Sequence, residues 1–375
     1  MRKFAKTGVL YCTLLVVLYV GCSAQTPNYR QNISLTGNWI VSSASSLPDG
    51  AILFTPDKIN PYFSNLAAIG LTKDKQFHPQ VKAWMQWYIR HLNRADKWGL
   101  HCTMYDYSVA GTAETSLNDA DSTDSYAATF LSVAWAFWQT GDDDARAYIK
   151  AHSRQLSCIA GVLIHTQQSN GLTWAKPDYQ IQFLMDNTEV CKGLREAASL
   201  FDALQRPKAS NWYSERAELV AKGIRDKLWD TANGNYFTYV GAPATDWTHW
   251  YPDSTAQLFP VLHGVISPSD ARAQLLYGTF NQKWPNWTTQ FADPFPWVAV
   301  SGAAALMGDR KRVNQYIQTI QTTYVASGFP YPWYCAEGGW FMRVNDYMLR
   351  HKRPKDSARS VMGMAVQGPA SRNGF

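Results

Sequence analysis

Two kinds of helix-forming segment alternate along this chain, and that alternation restricts the fold more than any other feature. The stretches "AATFLSVAWAFW" and "WVAVSGAAALMG" are apolar nearly all round, and a helix with no polar face has to be buried on every side. The stretches "ARAYIKAHSRQL" and "RKRVNQYIQTIQ" repeat their apolar residues with the helical period and carry charge on the opposite face, the pattern of a half-exposed helix. Buried and half-exposed helices in alternation predict two concentric layers, a double-layered α/α toroid. An α-solenoid is the other architecture with helix pairs, but the repeat of sequence that a solenoid requires is missing.

Helical periodicity runs from "PQVKAWMQWYIRHLNRADKWG", which should end at Gly99, to "AEGGWFMRVNDYMLRHK" near the C-terminus. Between them, helices are expected over "DSTDSYAATFLSVAWAFWQTG", "DDARAYIKAHSRQLSCIAGVLIH", "YQIQFLMDNTEVCKGLREAASLFDALQ" and "NWYSERAELVAKGIRDKLWD". Further on, "DSTAQLFPVLHGV" is interrupted by Pro260, "SPSDARAQLLYGTFNQKW" opens on a Ser-Pro start, and "PFPWVAVSGAAALMG" and "DRKRVNQYIQTIQTTYVASG" form a close pair. Strand signals are thin. "GNYFTYV" and the segment near "GNWIVSS" are candidates for short hairpins at a rim. No Gly/Ser-rich or Pro-rich tract divides the chain, so one large domain is expected over residues 25–351.

The ends read differently. Arg2, Lys3 and Lys6 precede the apolar run "TGVLYCTLLVVLYVG", the layout of an export signal over residues 1–24 and too short for a committed membrane span. "YVGC" approximates a lipoprotein box that would place a lipid anchor on Cys22, whereas "CSA" before Gln25 resembles an ordinary cleavage site. Both processing routes stay open, so the expected location is periplasmic, secreted or lipid-anchored. Residues 352–375, with "RHKRPKDSARS" at their start, read as a basic solvated tail. The formal charge of +6 falls once the signal cations are removed and gives no reason to invoke nucleic acid. Outside the signal lie Cys102, Cys158, Cys191 and Cys335. An exported chain permits disulfides, and four thiols allow three pairings; Cys158 and Cys191 sit in apolar helical runs, where buried free thiols are the slightly preferred reading. His78, His101, His165, His249 and His263 show no metal-ligand spacing, and no phosphate loop, dinucleotide fingerprint or serine-nucleophile elbow occurs, so neither metal nor cofactor is expected.

Four segments, "NDADSTDSYAATFLSVAWAFWQTGD", "YQIQFLMDNTEVCKGLREAAS", "YPDSTAQLFPVL" and "CAEGGWFMR", resemble in their layout the six-hairpin glycosidases, whose fold is an all-α (α/α)6 toroid of helical hairpins with short rim β-hairpins. The resemblance covers about residues 60–350. In family 8 glycosidases a motif of the type Ala-Ser/Thr-Asp-Gly-Asp opens an inner helix that ends at a Gly-Asp turn. Thr123-Asp124-Ser125-Tyr126 opens a similar helix ending at Gly141-Asp142, with Tyr126 in the place of the second Asp. Unsaturated glucuronyl hydrolases carry one Asp at the start of an inner helix and another some tens of residues later, and Asp124 and Asp186 are similar in placement. The resemblance implies a cleft over the N-terminal ends of the inner helices and a carbohydrate substrate cleaved by carboxylate acid/base catalysis.

The acids at such helix starts are Asp121, Asp124, Asp186, Glu189, Asp253 and Glu337. Asp121 and Asp253 each precede Ser-Thr, and both suit an N-cap as well as a cleft edge. Asp186 stands among Phe183, Leu184, Met185 and Val190; a carboxyl in an apolar stretch is paired or used, and burial raises its pKa toward that of a general acid. The expected catalytic set is therefore Asp186 as general acid, Asp124 as its partner, and Asp253 and Glu337 as substitutes. Glu189 lies one turn beyond Asp186 and can tune it or hold a sugar hydroxyl. The two glycines after Glu337 suggest a close approach of backbone and substrate. Of the 16 Trp residues, several fall in loop clusters beside acids, which suits stacking on sugar rings. Asp121, Tyr126, Trp247, Trp250, Tyr251, Trp333 and Trp340, with Glu189, are the expected substrate contacts, and Tyr334 flanks the last pair. A monomer hydrolysing an oligo- or polysaccharide is the leading expectation. A non-catalytic glycan-binding toroid, or a uronate lyase or epimerase using Tyr126, His249 and Arg343, are the alternatives.

Overall fold

The structure, a computed structural model, describes residues 27–351; the expected signal, the Cys22 anchor and the basic tail lie outside the described residues. The helices, in chain order, are α1 (Tyr29–Trp39), α2 (Pro61–Leu71), α3 (His78–Arg90), α4 (Thr123–Gln139), α5 (Asp143–Ala151), α6 (Ser153–Thr166) and α7 (Leu184–Ala203). They continue with α8 (Pro207–Gly223), α9 (Phe259–Leu262), α10 (Ala271–Lys283), α11 (Val298–Leu306), α12 (Arg310–Thr323) and α13 (Cys335–Arg350).

The inner layer is a closed ring of six. Helix α2 packs on α4, α4 on α7, α7 on α9, α9 on α11, α11 on α13, and α13 returns to α2. Helix α3 lies on α2, α6 on α4, α8 on α7 and α12 on α11, while α1, from the start of the described chain, covers α13. The ring closes where two backbones touch. A Cβ on Gly339 of α13 would stand 2.2 Å from the Leu66 carbonyl of α2, and one on Gly70 would stand 2.5 Å from the Gly339 Cα. Any side chain there would hold the two helices apart. The glycines after Glu337 thus admit a neighbouring helix, not a substrate.

Local chemistry sets the starts of these helices. The Asn60 side chain accepts the Phe63 amide at 3.3 Å with Pro61 in the first turn, which begins α2. The Ser122 hydroxyl accepts the Ser125 amide at 3.3 Å and begins α4. Ser122, not Asp121, is therefore the cap. Helix α7 starts five residues later than periodicity suggests, because Phe183 bridges to Tyr239 as a strand and the Leu184 amide donates to the Thr238 carbonyl at 2.8 Å. That late start puts Asp186 in the first turn.

Helix α3 stops at Arg90, short of Gly99, since the Asp96 carboxylate accepts the Trp98 and Leu100 amides and folds the segment into a loop. Strands β1 (Lys58–Ile59), β2 (Tyr107–Ala110) and β3 (Ala113–Ser116) form an antiparallel sheet in that order, and β4 (Trp229–Asp230) pairs with β5 (Asn235–Tyr236). The second hairpin holds the start of "GNYFTYV" as expected. "GNWIVSS" is instead the end of α1 and a π-helical turn, its Ile40 buried in the core. Cys158 is not a free thiol: it is bonded to Cys102, tying the loop after α3 to α6. Cys191 and Cys335 are buried and unbonded.

Candidate active site

The inner helices point the same way, and their first turns meet at one end of the ring. Tyr62 of α2 donates its hydroxyl to the Glu189 carboxylate of α7 at 2.6 Å. Ser122, the cap of α4, stands 2.7 Å from Asp124 Oδ1 and 3.3 Å from Asp186 Oδ2. Glu337, in the first turn of α13, accepts the Val298 amide of α11 at 2.7 Å and the Trp297 amide at 3.1 Å. Five of the six inner helices thus contribute to one polar mouth.

Asp124 is fully buried. Its oxygens accept from Ser122, from the Ser125 amide at 2.8 Å and from the Thr173 hydroxyl at 2.5 Å. Burial raises its pKa to about 6, and these donors oppose the rise. The Ser122 hydroxyl reaches both Asp124 and Asp186 and keeps the two acids on the same side of the mouth. Asp186 keeps some accessible surface. Burial pushes its pKa well above the usual carboxylate range, and the negative charges of Asp124, Glu189 and Asp121 push it further. Both effects favour its protonated form, and one long hydrogen bond from Ser122 opposes them. Glu189 lies beneath it, 5 % exposed, raised to about 8 by burial against the opposing hydrogen bond from Tyr62.

Helices α7 and α13 stand opposite each other in the ring of six, so the first turns that carry Asp186 and Glu337 lie on opposite sides of it. Burial raises Glu337 to about 7, while the two amide donors favour its charged form. The price of that arrangement is visible at Trp297, whose φ of 57° is the left-handed conformation that a bulky residue avoids. Tyr251, 54 % exposed, sits between the two sides: burial raises its pKa, and so do the charges of Asp186, Asp121, Glu189 and Asp293. Its ring lies 4.9 Å from that of Trp297. Tyr334 packs edge-on against Phe63 at 5.1 Å and Phe295 at 5.4 Å, forming a second aromatic wall with Tyr62.

Other expected site residues lie elsewhere. Tyr126 is buried and donates to Asp106 at 2.6 Å while Asn60 donates to it at 2.8 Å, so it is a core strut rather than a sugar contact. Trp250, Trp333 and Trp340 are buried in the core: Trp250 packs on Phe280 and Trp284, Trp333 on Phe341, and Trp340 under the Arg343 guanidinium. Trp247 is half-buried against the core. Asp253 braces its own loop by accepting the Asp246 amide at 3.1 Å. Asp121 and Tyr251 are exposed, and both lie close enough to Asp186 to interact with it electrostatically. Tyr62, Phe63 and Asp293 went unnoticed in the sequence. The Asn-Pro start before "YFSNLAAIGL" was the available signal for the first two. Asp293 had none beyond the aromatic loop around it.

No family model and no curated protein sequence matches this chain. Solved structures do. A wild-type glycosidase superposes with a TM-score of 0.64 at 12% identity, over 85% of this chain and 96% of the other. A GH63 mannosylglycerate hydrolase from Thermus thermophilus, in complex with glucose, gives 0.59 at 12% identity over 85% of this chain and 99% of that one. A rhamnosidase from Klebsiella oxytoca with rhamnose bound gives 0.58 at 14% identity over 86% of this chain and 64% of that one. The fold is a helical toroid of the kind found in these glycosidases.

Proposed function

We propose that this protein is a glycoside hydrolase, with Asp186 as general acid and Glu337 as the carboxylate across the mouth that activates water. The observation that carries the proposal is their opposition: each opens an inner helix, and the two helices stand on opposite sides of the ring. Glycosidic cleavage needs an acid that protonates the leaving oxygen and a second carboxylate on the other face of the sugar. Burial first, and then the neighbouring carboxyls, favour the protonated form of Asp186 that a general acid needs. Glu337, raised to about 7, suits a base poised near neutrality and is fixed by two amides. The aromatic walls supply apolar faces for sugar rings.

The charges favour hydrolysis of neutral sugars over uronate chemistry. The mouth gathers acids, and the cations nearest to it are engaged: Lys58 with Asp106 at 2.9 Å and Lys176 with Asp119 at 3.1 Å. His249 is 66 % exposed on a loop and Arg343 lies deep in the ring, so neither serves a uronate carboxylate at the mouth. The Cys102–Cys158 bond supports an exported enzyme, since disulfides persist in oxidising compartments. The test is release of reducing ends from a panel of neutral oligosaccharides, with Asp186→Asn and Glu337→Gln beside the wild type. Each variant should lose about 10²–10⁴-fold in rate while keeping its circular dichroism. Wild-type turnover by Asp186→Asn, or sugar binding without any cleavage, would overturn the reading.

A further inference from the structure

The opposite end of the ring carries charge that the proposed hydrolysis does not use. There the C-terminal ends of the inner helices surround a cleft of about 630 Å³ joined, through Lys73 and Tyr347, to a smaller one of about 160 Å³. Arg343 of α13 lines the smaller cleft and is 2 % exposed. Its Nε and Nη1 are buried and have no hydrogen-bond partner among the described residues. Its guanidinium lies 3.5 Å over the Trp340 ring, which offers a weak electrostatic contact but accepts no N–H in the guanidinium plane. Lys73, just beyond α2, lines both clefts and likewise makes no ion pair among the described residues.

The acids nearby are already engaged. Asp346 accepts from Arg350 at 2.8 Å. Glu196 pairs with Lys192 at 2.6 Å and accepts the Ser132 hydroxyl. Arg195 pairs with Glu218. Glu196 and Glu189 act on Arg343 and Asp346 acts on Lys73 from a distance, but neither cation makes an ion pair of its own among the described residues, and a buried guanidinium without a direct counter-charge is costly. Their mutual repulsion shows in Lys73, lowered to about 8 first by burial and then by the Arg343 charge. Orphaned buried donors of this kind mark the place of an ion or an ordered water.

We infer that the smaller cleft binds a small inorganic anion of chloride size, held between the Arg343 guanidinium and the Lys73 ammonium at the end of the toroid away from the carboxylate mouth. The volume admits an ion together with its waters. One negative charge set between Arg343 and Lys73 gives both cations a direct partner, while a larger polyanion would meet Asp346 on the same wall. The inference is independent of the hydrolase reading, because binding and stability, not turnover, report it.

The probe is sodium bromide on the full chain. Crystals soaked in bromide should show an anomalous peak between Arg343 and Lys73. Sodium chloride should raise the melting temperature saturably over sodium gluconate at equal ionic strength, as ligand linkage requires. Lys73→Met should abolish both the peak and the rise. Arg343→Met, which removes the buried charge, should fold and be insensitive to halide. No peak at this position in wild-type crystals, an equal rise in gluconate, or a chloride rise that survives Lys73→Met would each overturn the inference.

Discussion

Replacing Glu189 by Gln should reveal how much stability this fold gives up to keep an acid under its mouth. The carboxyl is 5 % exposed and its folded pKa is about 8 against an ordinary 4.5, with burial the first cause. Between those values the folded state keeps a proton that the unfolded chain has released. Stability is therefore unaffected by this group below about pH 4.5 and falls as pH rises, by ~1.4 kcal/mol per unit. The fall levels off above about pH 8, where the accumulated loss is on the order of 4–5 kcal/mol. Gln cannot ionise, and its amide oxygen still accepts the Tyr62 hydroxyl that Glu189 accepts at 2.6 Å. Glu189→Gln should thus match the wild type near pH 4, exceed it by ~2 kcal/mol at pH 6 and by about 4–5 kcal/mol at pH 8.5. Urea unfolding of both proteins across that range, with the disulfide intact, measures the difference directly. A gap that stays constant with pH, or that narrows as pH rises, would refute the argument that burial holds this carboxyl protonated.

Other perturbations test the remaining parts. Ser122→Ala removes the α4 cap and the hydroxyl facing Asp124 and Asp186; it should cost about 1 kcal/mol and, because that bond lowers the Asp186 pKa, move the alkaline limb of the pH–rate profile upward. Gly339→Ala should destabilise by about 1–3 kcal/mol in thermal unfolding, since its Cβ would meet the Leu66 carbonyl at 2.2 Å. Replacing both Cys102 and Cys158 by Ser opens a loop closed across 56 residues and should lower denaturant stability by on the order of 4 kcal/mol. Asp186→Asn and Glu337→Gln, assayed for new reducing ends, test the chemistry itself.

Periodicity alone specified most of the helices, because an apolar stripe or an apolar cylinder can be buried in few ways. It also singled out Asp186, a charge out of place in an apolar run. Ring closure was not legible in the same way. It depends on contacts such as Gly70 against Gly339, and a glycine in a helix looks the same whether it meets solvent or a backbone. Roles within the acid cluster were hidden for a related reason. Asp124 and Asp186 both open inner helices, yet the first is sealed by Thr173 and the second reaches solvent. Trp333 and Trp340 looked like a stacking wall from their loop-edge positions, but they face the core. Position along a chain determines which residues can begin a helix. Only the packing of helices distant in sequence decides which side of that beginning is wet, and therefore which acid can meet a substrate.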